Sequence, residues 1–138
     1  MSPWSWVAQY AVAIVAFTVL DVIWLGTVAK DLYAAHIGHL LAPKANLPAA
    51  VAFYAIFLAG PVFFVIHPAI AEGSWTKALL VGAAFGFVTY ATWDLTNLAV
   101  LKDFPFSIVP IDMAWGTFLA AAVSTATYAV AQVIPALR

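Results

Sequence analysis

The sequence predicts an all-α, polytopic membrane protein, with four transmembrane helices in an up-and-down bundle. Three observations carry that prediction. Hydrophobic residues make up 66% of the 138-residue chain, against about 45–50% in a soluble domain. Charged residues make up only 8%, too few to build a water-facing shell around a domain of this size. The apolar residues also fall in four continuous runs, each near the roughly 20 residues a helix needs to cross a bilayer. A β-barrel strand needs about 10 residues of alternating polarity, a pattern these runs lack. A soluble enzyme or binding module is therefore excluded. A net charge of −1 offers no attraction for nucleic acid. The absence of cysteine removes disulfides, thiol catalysis, iron–sulfur ligation and Cys-type zinc sites.

Residues 1–138 read as a single membrane domain, with spans at about 4–29, 48–66, 77–101 and 106–133. Met1 to Trp6 has no Lys or Arg, and it leads into a run too long for a signal sequence, with no small-residue cleavage site. The first span is thus expected to be retained. Pro3 and Pro48 suit the opening of helices, where a missing N–H is harmless. Pro110 falls in the first turn of the fourth span. Pro61 lies inside the second and should kink it near Gly60.

The first connection, Lys30 to Leu47, holds Leu32, Tyr33, His36, Ile37, Leu40 and Leu41 at helical spacing. That spacing suggests a short interfacial helix over about 31–42. The second connection is read as His67 to Thr76, with His67 at a helix end. The third, Lys102 to Pro105, is so short that the last two helices must be antiparallel neighbours. Lys30, Lys44 and Lys102 on one face weakly favour that face as cytoplasmic. Trp4, Trp6 and Trp75 on one side, with Tyr33 and Phe104 on the other, read as interfacial anchors.

Three carboxylates lie inside apolar spans: Asp21, Asp94 and Asp112. Each costs about 2.5–3.5 kcal/mol at a helix centre on insertion scales, so each needs a reason to be there. Counted at 1.5 Å per residue from one membrane face, they sit at roughly 12, 10 and 9 Å. They converge on one level. Tyr90 and Asn97 stand at i−4 and i+3 from Asp94 and share its helix face, while Trp24 and Trp115 stand at i+3 from Asp21 and Asp112. Trp93 is the neighbour of Asp94. Gly82 and Gly86 form a GxxxG pair that allows close helix approach, and they are a candidate packing face.

Three readings of the carboxylates stand side by side. Hydrogen-bonded to Trp, Tyr and Asn, they could hold the helices together. They could form a proton or cation site in a polar cleft. They could also bind a polar or cationic ligand between Trp24, Trp93 and Trp115, whose ring faces favour cations. If all three share one pocket without a cation, at least one must carry a proton and donate a hydrogen bond. His36 and His39, at i,i+3, are a weak candidate metal pair, outweighed by an interfacial capping role. No zincin, Walker A, nucleophile-elbow or kinase motif is present, and Asp112 lacks the G-x-G-D context of an intramembrane aspartyl protease. The chain thus leans away from being an enzyme, and no motif implies a cofactor.

Asp21-x-x-Trp24-Leu25, Tyr33 with Ile37-Gly38, and Tyr54 with Gly60 stand in an order that resembles the first half of a bacterial membrane family. Tyr90-x-x-x-Asp94-Leu95-Thr96-Asn97 and Asp112-x-x-Trp115-Gly116 resemble its second half. The family is the one catalogued as domain of unknown function 2177, small four-helix membrane proteins. Trp93 departs from the Tyr expected before the Asp, which keeps an aromatic there. The resemblance runs from Asp21 to Thr117 and implies the family's fold, topology and a multi-pass place in a bacterial inner membrane. It implies no reaction or ligand.

Two functions follow as expectations. One is a membrane protein binding a small solute, proton or cation at Asp21, Asp94 and Asp112, lined by Asn97, Tyr90 and the Trp residues. A transporter of this size would need a homodimer, with the Gly82/Gly86 face as a candidate interface. The other is a non-catalytic accessory or scaffold subunit of a larger membrane complex, packing on partner helices, pigments or lipids.

Overall fold

A computed structural model describes residues 1–138. The chain is all-α, with four helices long and apolar enough to cross a membrane: α1, Pro3–Leu40; α2, Leu47–Glu72; α3, Trp75–Val100; and α4, Phe106–Val133. Only 29 of 138 residues are buried, and large apolar side chains such as Ile56 (75% exposed) and Val133 (77%) point outward. That exterior suits hydrocarbon, not water.

Helix α1 begins with Pro3 in the first turn behind Ser2. It does not end where the charges begin. Its hydrogen bonding widens to a π turn at Leu25–Ala29, and α-helix resumes over Lys30–Ile37 before a final 3₁₀ turn. Residues 31–37 therefore continue the first helix and do not form a separate interfacial one. Lys and Asp do not break a helix, and at 1.5 Å per residue 38 residues reach roughly 57 Å, well past a core of about 30 Å.

Helix α2 is capped by Asn46, whose side chain accepts from the Ala49 N–H at 3.2 Å. Pro61 lacks an N–H, and the ladder answers with a π turn at Val62–Ile66 before α-helix resumes at His67. His67 is thus inside a continuous helix, not at its end. There its ring stacks on Trp6 at 3.5 Å and its Nδ1 lies 3.1 Å from Gln9 Oε1. The true stop is Gly73, left-handed at φ 63°. The Gly73 and Ser74 N–H groups bond back to Ile70 and Ala69, and Ser74 then caps α3. The second connection is only these two residues, with a Lys77–Glu72 ion pair of 2.5 Å beside it.

Helices α3 and α4 make the most extensive contact in the molecule. A Cβ on Gly82 would meet Ser124 and the Ala120 carbonyl at 3.0–3.1 Å, and one on Gly86 would strike the Gly116 carbonyl. The GxxxG face is therefore consumed within the chain by Gly116, Ala120 and Ser124 of α4. It is not free to serve as a dimer seam. Helix α4 also packs on α1 and α2, and the buried core runs through Phe17, Leu58, Ile66, Leu119 and Val123. At one end Gln9 of α1 donates to the Leu137 carbonyl at 2.7 Å. At the other, His39 meets the Asp103 carbonyl at 3.2 Å.

Candidate carboxyl site

Of the eleven charged residues, only Asp94 (1% exposed) and Asp112 (6%) are buried. The close approach of α3 and α4 brings them together. Gly116, one turn beyond Asp112, leaves space that the Tyr90 ring occupies, since a Cβ there would collide with the ring. The two carboxyls lie close enough to act on each other directly. Such a pair needs a proton or a cation between its members, because two bare carboxylates at that separation repel.

Asp112 has one further partner. The Tyr33 hydroxyl of α1 donates to Asp112 Oδ1. Trp24 Nε1 reaches the same hydroxyl at 3.4 Å, and the Trp24 ring stacks on Trp115 at 4.3 Å and 6°. Asp94 is less well served: its Oδ2 is buried with no hydrogen-bond partner. One helical turn on, Asn97 Nδ2 is buried without a partner as well. Asp94 and Asn97 stand at i and i+3, so both unanswered groups belong to one face of α3.

The third carboxylate stands apart. Asp21 is half-buried, and its Oδ2 accepts from the Tyr54 hydroxyl of α2 at 3.1 Å. The Tyr90 ring, packed beside Gly116, stands near the pair and makes no hydrogen bond to either group. The trio expected at one level is thus a pair and a neighbour.

The aromatic cage is not formed. Trp93 is 61% exposed on the outer surface of α3, since its position on the helix is turned about 100° from that of Asp94. Trp24 and Trp115 stack on each other, leaving no slot between them for a cation. The histidine pair is also divided. His36 Nδ1 lies 2.8 Å from the Leu32 carbonyl, His39 turns to Asp103, and no three His, Cys, Asp or Glu side chains gather as a metal site would need.

Two residues escaped the reading of the sequence as site members. Tyr33 looked like an interfacial anchor because α1 was expected to end before it. Tyr54 was legible: it is the only side chain with a polar group between Leu47 and Ile66.

The family model described as "Predicted membrane protein (DUF2177)" matches residues 6–129. No curated protein and no solved structure matches the chain.

Proposed function

The chain belongs to the DUF2177 family of predicted membrane proteins, and on that premise we propose that its Asp94–Asp112 pair binds a proton or a small monovalent cation, one in exchange for the other. The setting proposed is a bacterial inner membrane. One observation carries the reading: Asp94 Oδ2 is buried in a membrane-spanning helix with nothing to bond it. If the carboxyls served only to hold the helices together, each polar atom should find a partner, since a half-satisfied network is worse than an apolar contact. Ser124 Oγ and Thr125 Oγ1 are also unbonded, but a hydroxyl can rotate toward a carbonyl of its own helix. A carboxylate oxygen needs a donor from elsewhere, and the nearest unbonded one, Asn97 Nδ2 one turn on, makes no bond to it.

The donor set favours a small monovalent ion. Two carboxyls and one amide offer at most about five oxygens, short of the six to eight calcium takes. A bound cation would replace the shared proton, with the Asn97 amide turned to offer its oxygen.

The test is thermal unfolding of the purified protein in detergent, with sodium, potassium or choline, on either side of neutral pH. A ligand at about ten times its Kd stabilises by about 1.4 kcal/mol. Sodium or potassium should stabilise at the higher pH, where the proton competes less, and Asp94→Asn should lose the effect while still folding. Absence of any cation effect, or its survival in Asp94→Asn, refutes the proposal. An accessory role has no comparable support, since the exposed aromatic faces are equally covered by lipid.

A further inference from the structure

Between α1 and α2 a groove of about 470 Å³ opens on the outer surface, within the usual range for small-ligand sites. Its walls are apolar, formed by Ile14, Phe17, Val51 and Leu58 among others, and two free polar groups interrupt them. One is Asp21: Tyr54 bonds its Oδ2, and Oδ1 accepts no hydrogen bond from the protein. The other is Thr18, one turn earlier and also in the wall. Thr27, Thr89, Thr92, Thr117 and Thr127 all donate back to the carbonyl four residues before them. Thr18, like Thr76, Thr96 and Thr125, makes no such bond, so its hydroxyl is available to a ligand in the groove.

We infer that this groove binds a long-chain or ring-bodied amphiphile entering sideways from the lipid, its protonated amine held by Asp21 and Thr18 and its apolar body along α1 and α2. Charge complementarity selects the amine, because a carboxylate prefers a cationic donor and repels an acid. An ordinary phospholipid is the wrong occupant on two counts. No basic residue lines the groove to meet a phosphate. Tyr54, which holds Asp21, lies seven residues into α2, about 10 Å beyond its start and below the level of headgroups. The site is separate from the Asp94–Asp112 pair and does not rest on its reading.

The experiment uses the full chain in phosphatidylcholine nanodiscs. A long-chain primary amine with a diazirine in its tail is photolysed there, beside the matching alcohol and carboxylic acid, and the adducts are mapped by mass spectrometry. The amine should label the peptides around Thr18–Val22 and Val51–Ala55 about tenfold more than either counterpart, the scale of one charge-assisted hydrogen bond. Asp21→Asn should abolish that preference and Asp94→Asn should leave it intact. Ala55→Phe, which fills the groove without touching the carboxyl, should suppress labelling and decides the matter if Asp21→Asn fails to fold. Labelling spread evenly over the four helices, equal labelling by the alcohol, or a preference surviving the folded variants overturns the inference.

Discussion

Gly86→Ala adds a single methyl group at the tightest point of the α3–α4 contact. Its Cβ would strike the Gly116 carbonyl oxygen and stand 2.8 Å from Ala120 Cβ. Carbon atoms pack best at about 3.5–4.0 Å, so the two helices must part by roughly 1 Å. A gap of that size forfeits a quarter to a half of the dispersion energy at each neighbouring contact, including Gly82 against Ser124. Overpacking of this kind costs about 1–3 kcal/mol. The obstacle here is partly backbone, which places the cost toward the upper end. Alanine returns about 1 kcal/mol of helix propensity, for a net loss of about 2 kcal/mol.

Gly26→Ala is the control. Nothing lies within 4 Å of its would-be Cβ, so only the propensity gain of about 1 kcal/mol remains. Identical substitutions should therefore move stability in opposite directions, about 3 kcal/mol apart. Unfolding in mixed micelles of increasing SDS content, followed by tryptophan fluorescence, measures both. A Gly86→Ala protein as stable as the parent, or stabilised alongside Gly26→Ala, would show that α3 and α4 do not meet through these glycines.

Three further outcomes are expected. Tyr33→Phe removes the donor to Asp112 and should cost about 1–3 kcal/mol, the range for stranding a buried acceptor; a double-mutant cycle with Asp112→Asn that gives no coupling would refute the bond. Gly73→Ala forces a Cβ into the left-handed conformation at φ 63° and should lower stability by about 1–2 kcal/mol in the same titration, although nothing lies within 4 Å to clash. Lys77→Ala breaks an ion pair whose side chains remain 30% and 58% exposed, so the loss should stay within about 1 kcal/mol and shrink as salt is added.

What the sequence made legible follows from which interactions are local. Span length and composition decide that four helices are long and apolar enough to cross a membrane, and the short connection Leu101–Pro105 sets α3 beside α4. Spacing along one helix places Tyr90, Asp94 and Asn97 on a face together, and the same spacing turns Trp93 away from it. Contacts between helices are less visible. A GxxxG pair announces that something comes close, without saying whether it is a second copy or the next helix. The matching small residues, Gly116, Ala120 and Ser124 at four-residue intervals, were in the sequence and identify α4 as the partner. The role of Tyr33 was hidden by the assumption that a helix stops where its charges begin. The bilayer limits where apolar residues are needed, not how far hydrogen bonding runs, and α1 continues past it to bring the phenol to Asp112.

Depth alone grouped the three carboxylates, and depth is only one coordinate. Neighbouring helices divide them: Tyr33 supports Asp112, Tyr54 supports Asp21, and Asp94 is left with an oxygen unanswered. Other buried polar groups are mostly answered, with Asn97 Nδ2, Ser124 Oγ and Thr125 Oγ1 the exceptions. Gln9 of α1, fully buried, both donates to Leu137 beyond the end of α4 and meets His67 of α2, and five of the nine threonines return their hydroxyls to their own helices. A protein that satisfies an isolated glutamine so fully has the means to satisfy a carboxylate it needs only for packing. A leucine would fill the position of Asp94 with no insertion cost, whereas an aspartate costs about 2.5–3.5 kcal/mol at a helix centre. An expensive group left incomplete is the observation on which the proposed proton or cation site rests, since a buried carboxylate is relieved by positive charge or by a proton.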